Sequence, residues 1–226
     1  MSLPREVRAV VFDMDGLLVD TETMFRDVMM EVSRQRGVHL PAEVFLRMVG
    51  LQHVASRAVV MDHFGDGFDY DGWDAEISDL AKARVAVGVT VKAGVAELMD
   101  ALEAAGIPRA VATSSGHPTV ERQLGPSGLL ARFQTIVAAG DYARGKPNPD
   151  PFLTAAARLG VDPAYCLALE DSHNGVRAAH AAGMMTIMVP DLLEATEEMR
   201  GLCVAVTETL HGVRDLILAG RRENHA

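Results

Sequence analysis

Five short, uninterrupted apolar runs limit the folds that this chain can adopt. An apolar run without alternating polar residues is typical of a strand that helices cover on both faces. Helical patterns separate the later runs, and one of these patterns is opened by Pro151 and closed by Gly160. This alternation predicts an α/β fold with a doubly wound, parallel-sheet (Rossmann-like) core. The predicted strands cover residues 7–12, 109–112, 135–138, 166–169 and 185–189.

The first two predicted strands are separated by many more residues than one crossover helix requires. The intervening segment has helical periodicity and no good strand pattern. Phe25, Val28, Met29 and Val32, for example, recur at the spacing of one helical face. We therefore predict an α-helical cap domain of residues 21–89, inserted after the first strand. Residues 1–20 and 90–226 would then form the α/β core.

The composition excludes several classes of partner. The chain of 226 residues has a formal net charge of −10 and no basic stretch, which argues against a nucleic-acid partner. No apolar run has the length of a membrane span or a signal segment, so we expect no membrane association and a cytoplasmic location. Cys166 and Cys203 have no Cys or His at ligand spacing and are expected to be reduced.

Polar side chains with catalytic potential follow four of the five predicted strands. Ligands of an open α/β sheet bind outside the carboxyl ends of its strands, so residues from these four segments are expected to converge on one edge. They are Asp13 and Asp15 after the first strand, Thr113 and Ser114 after the second, Lys146 after the third, and Glu170 and Asp171 after the fourth.

These residue types are suited to phosphoryl transfer. A carboxylate such as Asp13 can attack phosphorus, and this attack divides one difficult displacement into two easier ones. Mg²⁺ prefers oxygen ligands and is expected to bind Asp13 and Asp171, while Lys146 neutralises the remaining negative charge. The Thr113 hydroxyl and nearby backbone N–H groups can hold the phosphoryl oxygens. Asp15 can protonate the leaving oxygen and later deprotonate the attacking water.

Other interpretations of the same residues are less specific. Residues 140–146 match the nucleotide P-loop pattern up to its last position, where Pro147 replaces the Ser or Thr that would contact magnesium. Asp13 and Asp15 could belong to a structural turn, and Asp171 could cap the following helix.

The order of these motifs resembles the haloacid dehalogenase superfamily, in the branch with a helical cap after the first strand. The resemblance covers essentially the whole chain. It implies Asp13 as nucleophile, Asp15 as acid/base, and Thr113, Ser114 and Lys146 as phosphate ligands. It also implies Mg²⁺ bound by the Asp13 and Asp171 carboxylates and the Asp15 backbone carbonyl, with Glu170 in or beside that shell. The motifs that carry the resemblance are residues 13–20, 111–115, 145–150 and 170–179.

Three functions fit this resemblance. The leading one is an Mg²⁺-dependent phosphatase for a small phosphorylated metabolite, such as a sugar, polyol or nucleoside monophosphate. Asp15 favours phosphorus chemistry over dehalogenation, because the family's dehalogenases lack this acid. The second is a mutase similar to β-phosphoglucomutase, which has a cap arginine about where this chain has His53, with Arg57 one turn later. The third is a non-catalytic binding protein on the same fold.

Substrate specificity is expected to depend on the cap, which we predict closes over the bound phosphate. The sequence identifies neither the substrate nor the oligomeric state. The candidates for substrate contact are Glu22, Gln52, His53 and Arg57 in the cap, and His117 at the edge of the core.

Overall fold

The computed structural model describes residues 3–49, 51 and 53–223, without the side chains of residues 222 and 223. The chain divides into two compact units. One consists of Met1–Val19 and Val91–Ala226, and the other is Asp20–Thr90. No helix in the described part of the chain is long and apolar enough to cross a membrane.

A six-stranded sheet organises the larger unit. Its order is β3-β2-β1-β4-β5-β6, and every neighbouring pair is parallel. The predicted α/β fold class is therefore confirmed. In this order, the first strand lies between the second and the fourth. The strands are β1 (Ala9–Phe12), β2 (Arg109–Gly116), β3 (Thr135–Ala139), β4 (Cys166–Glu170), β5 (Met185–Met188) and β6 (Ala205–Val206).

Two strand predictions need correction. β6 was not predicted, although it lies in the apolar run of residues 202–206. The strand itself has only two residues, and both are half-buried. β2 continues beyond the predicted end at residue 112 as far as Gly116. Its pairing with β3 shifts register between Ala112 and Gly116, so the polar residues 113–115 belong to an irregular extension of the strand.

In its described residues, the smaller unit consists of four helices. The indole of Trp73 is fully buried, and its Nε1–H donates to Ser33 Oγ at 2.9 Å. This bond joins the first and fourth helices and satisfies the polar atom of a large buried side chain. The helices are α1 (Thr21–Gln35), α2 (Ala42–Met48), α3 (His53–Phe64) and α4 (Tyr70–Val87).

Small side chains let helices pack closely on the sheet of the larger unit. Ala155 and Ala156 are fully buried in one cluster with Val11 of β1. Phe152 fills the same cluster, and burial of such a side chain stabilises the fold by roughly 1.5–3 kcal/mol. The helices of this unit are α5 (Val95–Ala104), α6 (His117–Leu124), α7 (Asp150–Leu159), α8 (His173–Ala181), α9 (Glu197–Leu202) and α10 (Leu210–Glu223).

Asp141 fixes the chain where it leaves β3 towards Lys146. Its Oδ2 accepts hydrogen bonds from the backbone N–H of Ala138 at 3.1 Å and from Arg158 Nη1 at 3.0 Å. His117 Nε2 lies 3.0 Å from the same oxygen. The Ala138 N–H, followed by the Arg158 and His117 contacts, lowers the pKa of Asp141 from 3.8 to about 2.

The substitution Asp141→Asn is expected to lower the free energy of unfolding by about 1 kcal/mol at neutral pH, because a charged acceptor is lost. A carboxyl group whose pKa is lowered by folding stabilises the protein above its unfolded pKa and loses this effect as the pH falls through the folded value. The difference in the free energy of unfolding between this variant and wild type should thus persist above pH 3.8 and disappear near pH 2. Urea unfolding across this range tests it.

Asp100→Asn is the matched control, because Asp100 pairs with Arg132 Nη2 at 2.6 Å but is 73% exposed. We expect it to change stability by less than about 0.5 kcal/mol. Equal effects of the two substitutions, or an Asp141→Asn effect that does not depend on pH, would contradict this account of the turn.

Candidate active site

The predicted catalytic residues lie where the strands of the larger unit end. Asp13 directly follows β1, and its backbone N–H donates to Leu169 O of β4 at 3.0 Å. Glu170 is the last residue of β4, and Asp171 follows it. Because β1 and β4 are neighbours in register, their carboxylates leave the sheet side by side. Lys146 reaches the same place from the loop between β3 and α7.

Lys146 connects two buried carboxylates. Its ammonium donates to Asp13 Oδ1, and to Glu170 Oε1 at 2.5 Å. The side chains of Lys146, Asp13 and Glu170 are 6%, 9% and 0% exposed, so this contact is shielded from water. An interaction between opposite charges is stronger in such surroundings than on a surface.

Burial and neighbouring charges shift the pKa values of this group. Burial raises the pKa of Asp13; the charge of Lys146 opposes this shift, Glu170 and Asp15 add to it, and the pKa reaches about 8. For Lys146, burial alone would lower the pKa. The adjacent Asp13 and Glu170 carboxylates outweigh burial and raise the pKa of Lys146 above its ordinary value. The lysine therefore stays protonated in the site.

Three buried carboxylates form a group that fits a divalent cation. Asp13, Glu170 and Asp171 each offer one oxygen, and these oxygens lie within 4.8 Å of one another. A set made only of carboxylate oxygens matches the ligand preference of Mg²⁺. The ammonium of Lys146 pairs with two of these carboxylates, Asp13 and Glu170, so a bound divalent cation would offset the remaining negative charge.

Two glycines make room for the carboxylates. Gly16 has φ of 81°, and a Cβ atom there would overlap Asp171 Oδ2. Gly175, in the first turn of α8, passes so close to Glu170 that a Cβ atom would overlap its carboxylate. Glycine is needed at both positions because the backbone approaches a buried acid more closely than a side chain allows.

Ser172 holds the second oxygen of Glu170. Its backbone N–H and its hydroxyl donate to Glu170 Oε2 at 3.3 and 3.1 Å. The same hydroxyl accepts the N–H of Gly175 at 3.1 Å and thereby caps α8. Glu170 is thus fixed between Lys146 and the beginning of a helix, which restricts its rotation.

Ser115 and Tyr142 join the predicted residues, although the sequence analysis did not select them. Ser115 Oγ donates to Asp15 Oδ2 at 2.9 Å, and its N–H donates to Thr113 Oγ1 at 3.0 Å. The Tyr142 hydroxyl donates to Thr113 O at 3.0 Å. The run of three hydroxyl residues 113–115 could have identified Ser115 as a site residue. No sequence pattern distinguishes Tyr142. Thr113 is buried and Ser114 is exposed.

Three of the predicted specificity residues, His53, Arg57 and His117, have partners within their own units. In the smaller unit, His53 Nε2 lies 3.1 Å from Asp74 Oδ2, and the Arg57 guanidinium pairs with Asp71 and lies over the Tyr70 ring. Glu22 is in the first turn of α1. Gln52 lies outside the described residues. In the larger unit, His117 contacts Asp141, as described above.

Comparisons with known proteins agree with this fold. Residues 7–183 match the model of the haloacid dehalogenase-like hydrolase family. Hexitol phosphatase B of Escherichia coli K12 is 32% identical over 202 residues, which are 84% of this chain and 86% of that protein. Protein CbbY of Rhodobacter capsulatus is 32% identical over 203 residues, with 82% and 86% covered.

A solved structure extends the comparison to the coordinates. The haloacid dehalogenase family hydrolase of Deinococcus radiodurans R1, with bound phosphate and sodium, has a TM-score of 0.81 and 28% identity. The match covers 95% of this chain and 96% of that one. The chain belongs to the haloacid dehalogenase-like hydrolase family. This confirms the resemblance and, as a class of enzyme, the predicted phosphoric monoester hydrolase.

Replacing Gly175 by alanine is expected to destabilise the protein. In an ordinary helix the change is favourable by about 0.5–1 kcal/mol. Here the new Cβ atom displaces the Glu170 carboxylate, so we expect a net loss of about 1–3 kcal/mol in the free energy of unfolding. Chemical denaturation of the purified variant measures this change.

Gly220→Ala in α10 is the matched control, because a Cβ atom at that position would meet no neighbouring atom. We expect it to stabilise the protein by about 0.4–1 kcal/mol. A Gly175→Ala variant that is as stable as the Gly220→Ala variant would show that Glu170 moves aside without cost.

Proposed function

We propose that this protein is an Mg²⁺-dependent phosphatase that forms an aspartyl-phosphate intermediate on Asp13. The observation that carries this proposal is the position of Asp13, which contacts the ammonium of Lys146 and has an oxygen within 4.8 Å of two further buried carboxylates. A carboxylate in that position combines a nucleophilic oxygen with the charge compensation that an approaching phosphate needs.

Asp13 and Asp15 divide the chemistry between them. The Asp13 carboxylate attacks phosphorus, the bond from phosphorus to the ester oxygen breaks, and the Asp15 carboxyl group gives its proton to that oxygen. Asp15 then accepts a proton from water, which attacks the phosphorus of the acyl phosphate. This second step releases inorganic phosphate and regenerates Asp13. Ser115 orients Asp15 for both proton transfers through the hydrogen bond to Oδ2.

The remaining residues bind the phosphate and the cation. Lys146, Thr113 and Ser114 would hold the phosphoryl oxygens. The Asp13 and Asp171 carboxylates and the Asp15 backbone carbonyl would hold Mg²⁺, with Glu170 beside them or as a further ligand. When bound, Mg²⁺ supplies positive charge that keeps Asp13 ionised and offsets the repulsion between its carboxylate and the substrate. Lys146 neutralises negative charge of the carboxylates and the phosphate that the bound cation does not compensate.

The substrate in this proposal is a small phosphorylated metabolite such as a sugar, polyol or nucleoside monophosphate. The relative named hexitol phosphatase B supports the polyol class. The helical unit Asp20–Thr90 would act as the cap, with Glu22, Gln52, His53 and Arg57, together with His117 of the core, selecting the substrate. The cytoplasmic location stays a prediction.

The mutase alternative requires a cation that holds a second phosphate on the substrate. Arg57 is the candidate, but its guanidinium is paired with Asp71 and lies over the Tyr70 ring at 4.6 Å. These contacts favour hydrolysis over isomerisation. The complete set of Asp13, Asp15 and Lys146 argues against a non-catalytic protein.

Phosphate release from a panel of metabolite monoesters tests the proposal. We expect release that requires Mg²⁺ and is abolished by EDTA. Asp13→Asn should lower kcat/KM about a thousandfold or more, because the nucleophile is lost. Asp15→Asn should lower it about 10²–10⁴-fold, as is typical when an acid/base group is removed.

Asp100→Asn serves as the control and should retain full activity, because Asp100 is an exposed residue of α5. Activity that survives Asp13→Asn would refute the nucleophile. Conversion of β-glucose 1-phosphate to the 6-phosphate, with the bisphosphate present and without net phosphate release, would identify the mutase instead.

A further inference from the structure

A carboxylate that none of these roles uses lies at the same edge of the sheet. Asp191 follows β5, which pairs with β4 so that Met188 lies opposite Glu170. The chain stays attached to β4 beyond the strand, since Val189 N–H donates to Glu170 O at 2.7 Å. The pairing of β5 with β4 therefore places Asp191 beside residues 170 and 171.

One oxygen of Asp191 is paired. Lys92 Nζ donates to Asp191 Oδ1 at 2.5 Å, and the two side chains are 28% and 11% exposed. The backbone of Lys92 is fixed as well, because its N–H donates to Leu18 O at 3.0 Å. The pair thus balances the charge of Asp191.

The other oxygen of Asp191 is buried and has no hydrogen-bond partner among the described residues. A buried carboxylate oxygen without a partner is costly, and such a group in a folded protein calls for a bound water or ion. Oδ1 already accepts the hydrogen bond from Lys92, so Oδ2 is the oxygen that a bound water or ion would contact.

The position of Gly16 locates this free oxygen. A Cβ atom at Gly16 would lie 3.4 Å from Asp191 Oδ2 and would overlap Asp171 Oδ2. The two oxygens therefore border the same small space, which exists because residue 16 has no side chain. Asp171 is one of the three carboxylates of the proposed cation site.

We propose that Asp191 is a positioning residue of the metal site, whose Oδ2 accepts a hydrogen bond from a water molecule bound to the magnesium. The inference rests on the proposed function. Mg²⁺ retains several waters in protein sites, and these waters need acceptors around them. Groups that contact metal ligands from outside orient them and contribute to affinity. Asp191 lies outside the group of three carboxylates whose oxygens are within 4.8 Å of one another, so we assign it as an acceptor for a bound water and not as a further direct ligand.

Calorimetric titration of the full-length protein with MgCl₂ alone tests this role without reference to turnover. Asp191→Asn should weaken Mg²⁺ binding about 10–100-fold. Asp191→Ala is titrated in parallel and should weaken binding at least as much. Lys92→Met breaks the same ion pair but keeps the carboxylate charge, so its affinity should stay within about threefold of wild type or increase.

Glu198→Gln is the matched control. It removes an ion pair of the same unit, in which Arg177 Nη2 lies 2.7 Å from Glu198 Oε2, outside the carboxylate group. Its Mg²⁺ affinity should equal that of wild type. Urea unfolding without metal establishes that each variant is folded before titration.

The outcomes of the titrations distinguish a failure of the Asp191 role from a failure of the proposed function. If Asp191→Asn and Asp191→Ala bind Mg²⁺ as wild type does, the role of Asp191 is refuted while the proposed function stands. Equal weakening by Lys92→Met and Asp191→Asn would also overturn it, because the ion pair would then be only structural. A wild-type protein that binds no Mg²⁺ would refute the proposed function and this inference together.

Discussion

The contact of one buried ammonium with two buried carboxylates is the interaction on which the site depends. Asp13 and Glu170 leave neighbouring strands at the same edge, so their like charges are brought together away from water. Such an arrangement is costly unless an opposite charge is held in contact with both acids. Lys146 provides that charge, and it arrives on a loop whose start is fixed by Asp141. The sheet thus brings the two acids together, and the loop supplies the positive charge that compensates them.

Close backbone approach is the second condition for this site. Gly16 and Gly175 lie against the carboxylates of Asp171 and Glu170, where any side chain would collide. The same absence of a side chain at Gly16 leaves the space that Asp171 and Asp191 share. The glycine after the paired aspartates is therefore explained by packing against the acids, in addition to the turn that it permits.

Most of the fold could be predicted, because most residues of the five longer strands are buried, and such strands appear in the sequence as apolar runs. β6 was not predicted because only two residues of the apolar run 202–206 form a strand, and both are half-buried. The edge that gathers Asp13, Lys146 and Asp171 followed from the rule for parallel sheets. The pairing of Lys92 with Asp191 spans 99 positions, and only the order of the strands brings these residues together.

The central claim is that phosphate passes through Asp13, and trapping that species tests it most directly. The Asp15→Asn variant, which lacks the base for the second step, is mixed with p-nitrophenyl phosphate and Mg²⁺ and then quenched with acid. The p-nitrophenolate of this substrate leaves without needing a proton from residue 15, so the first step can still occur. Peptide mapping after borohydride reduction, which attacks acyl phosphates, should find the modified residue at Asp13 alone. Turnover without any phosphorylated protein, or a phosphoryl group on another residue, would contradict the account.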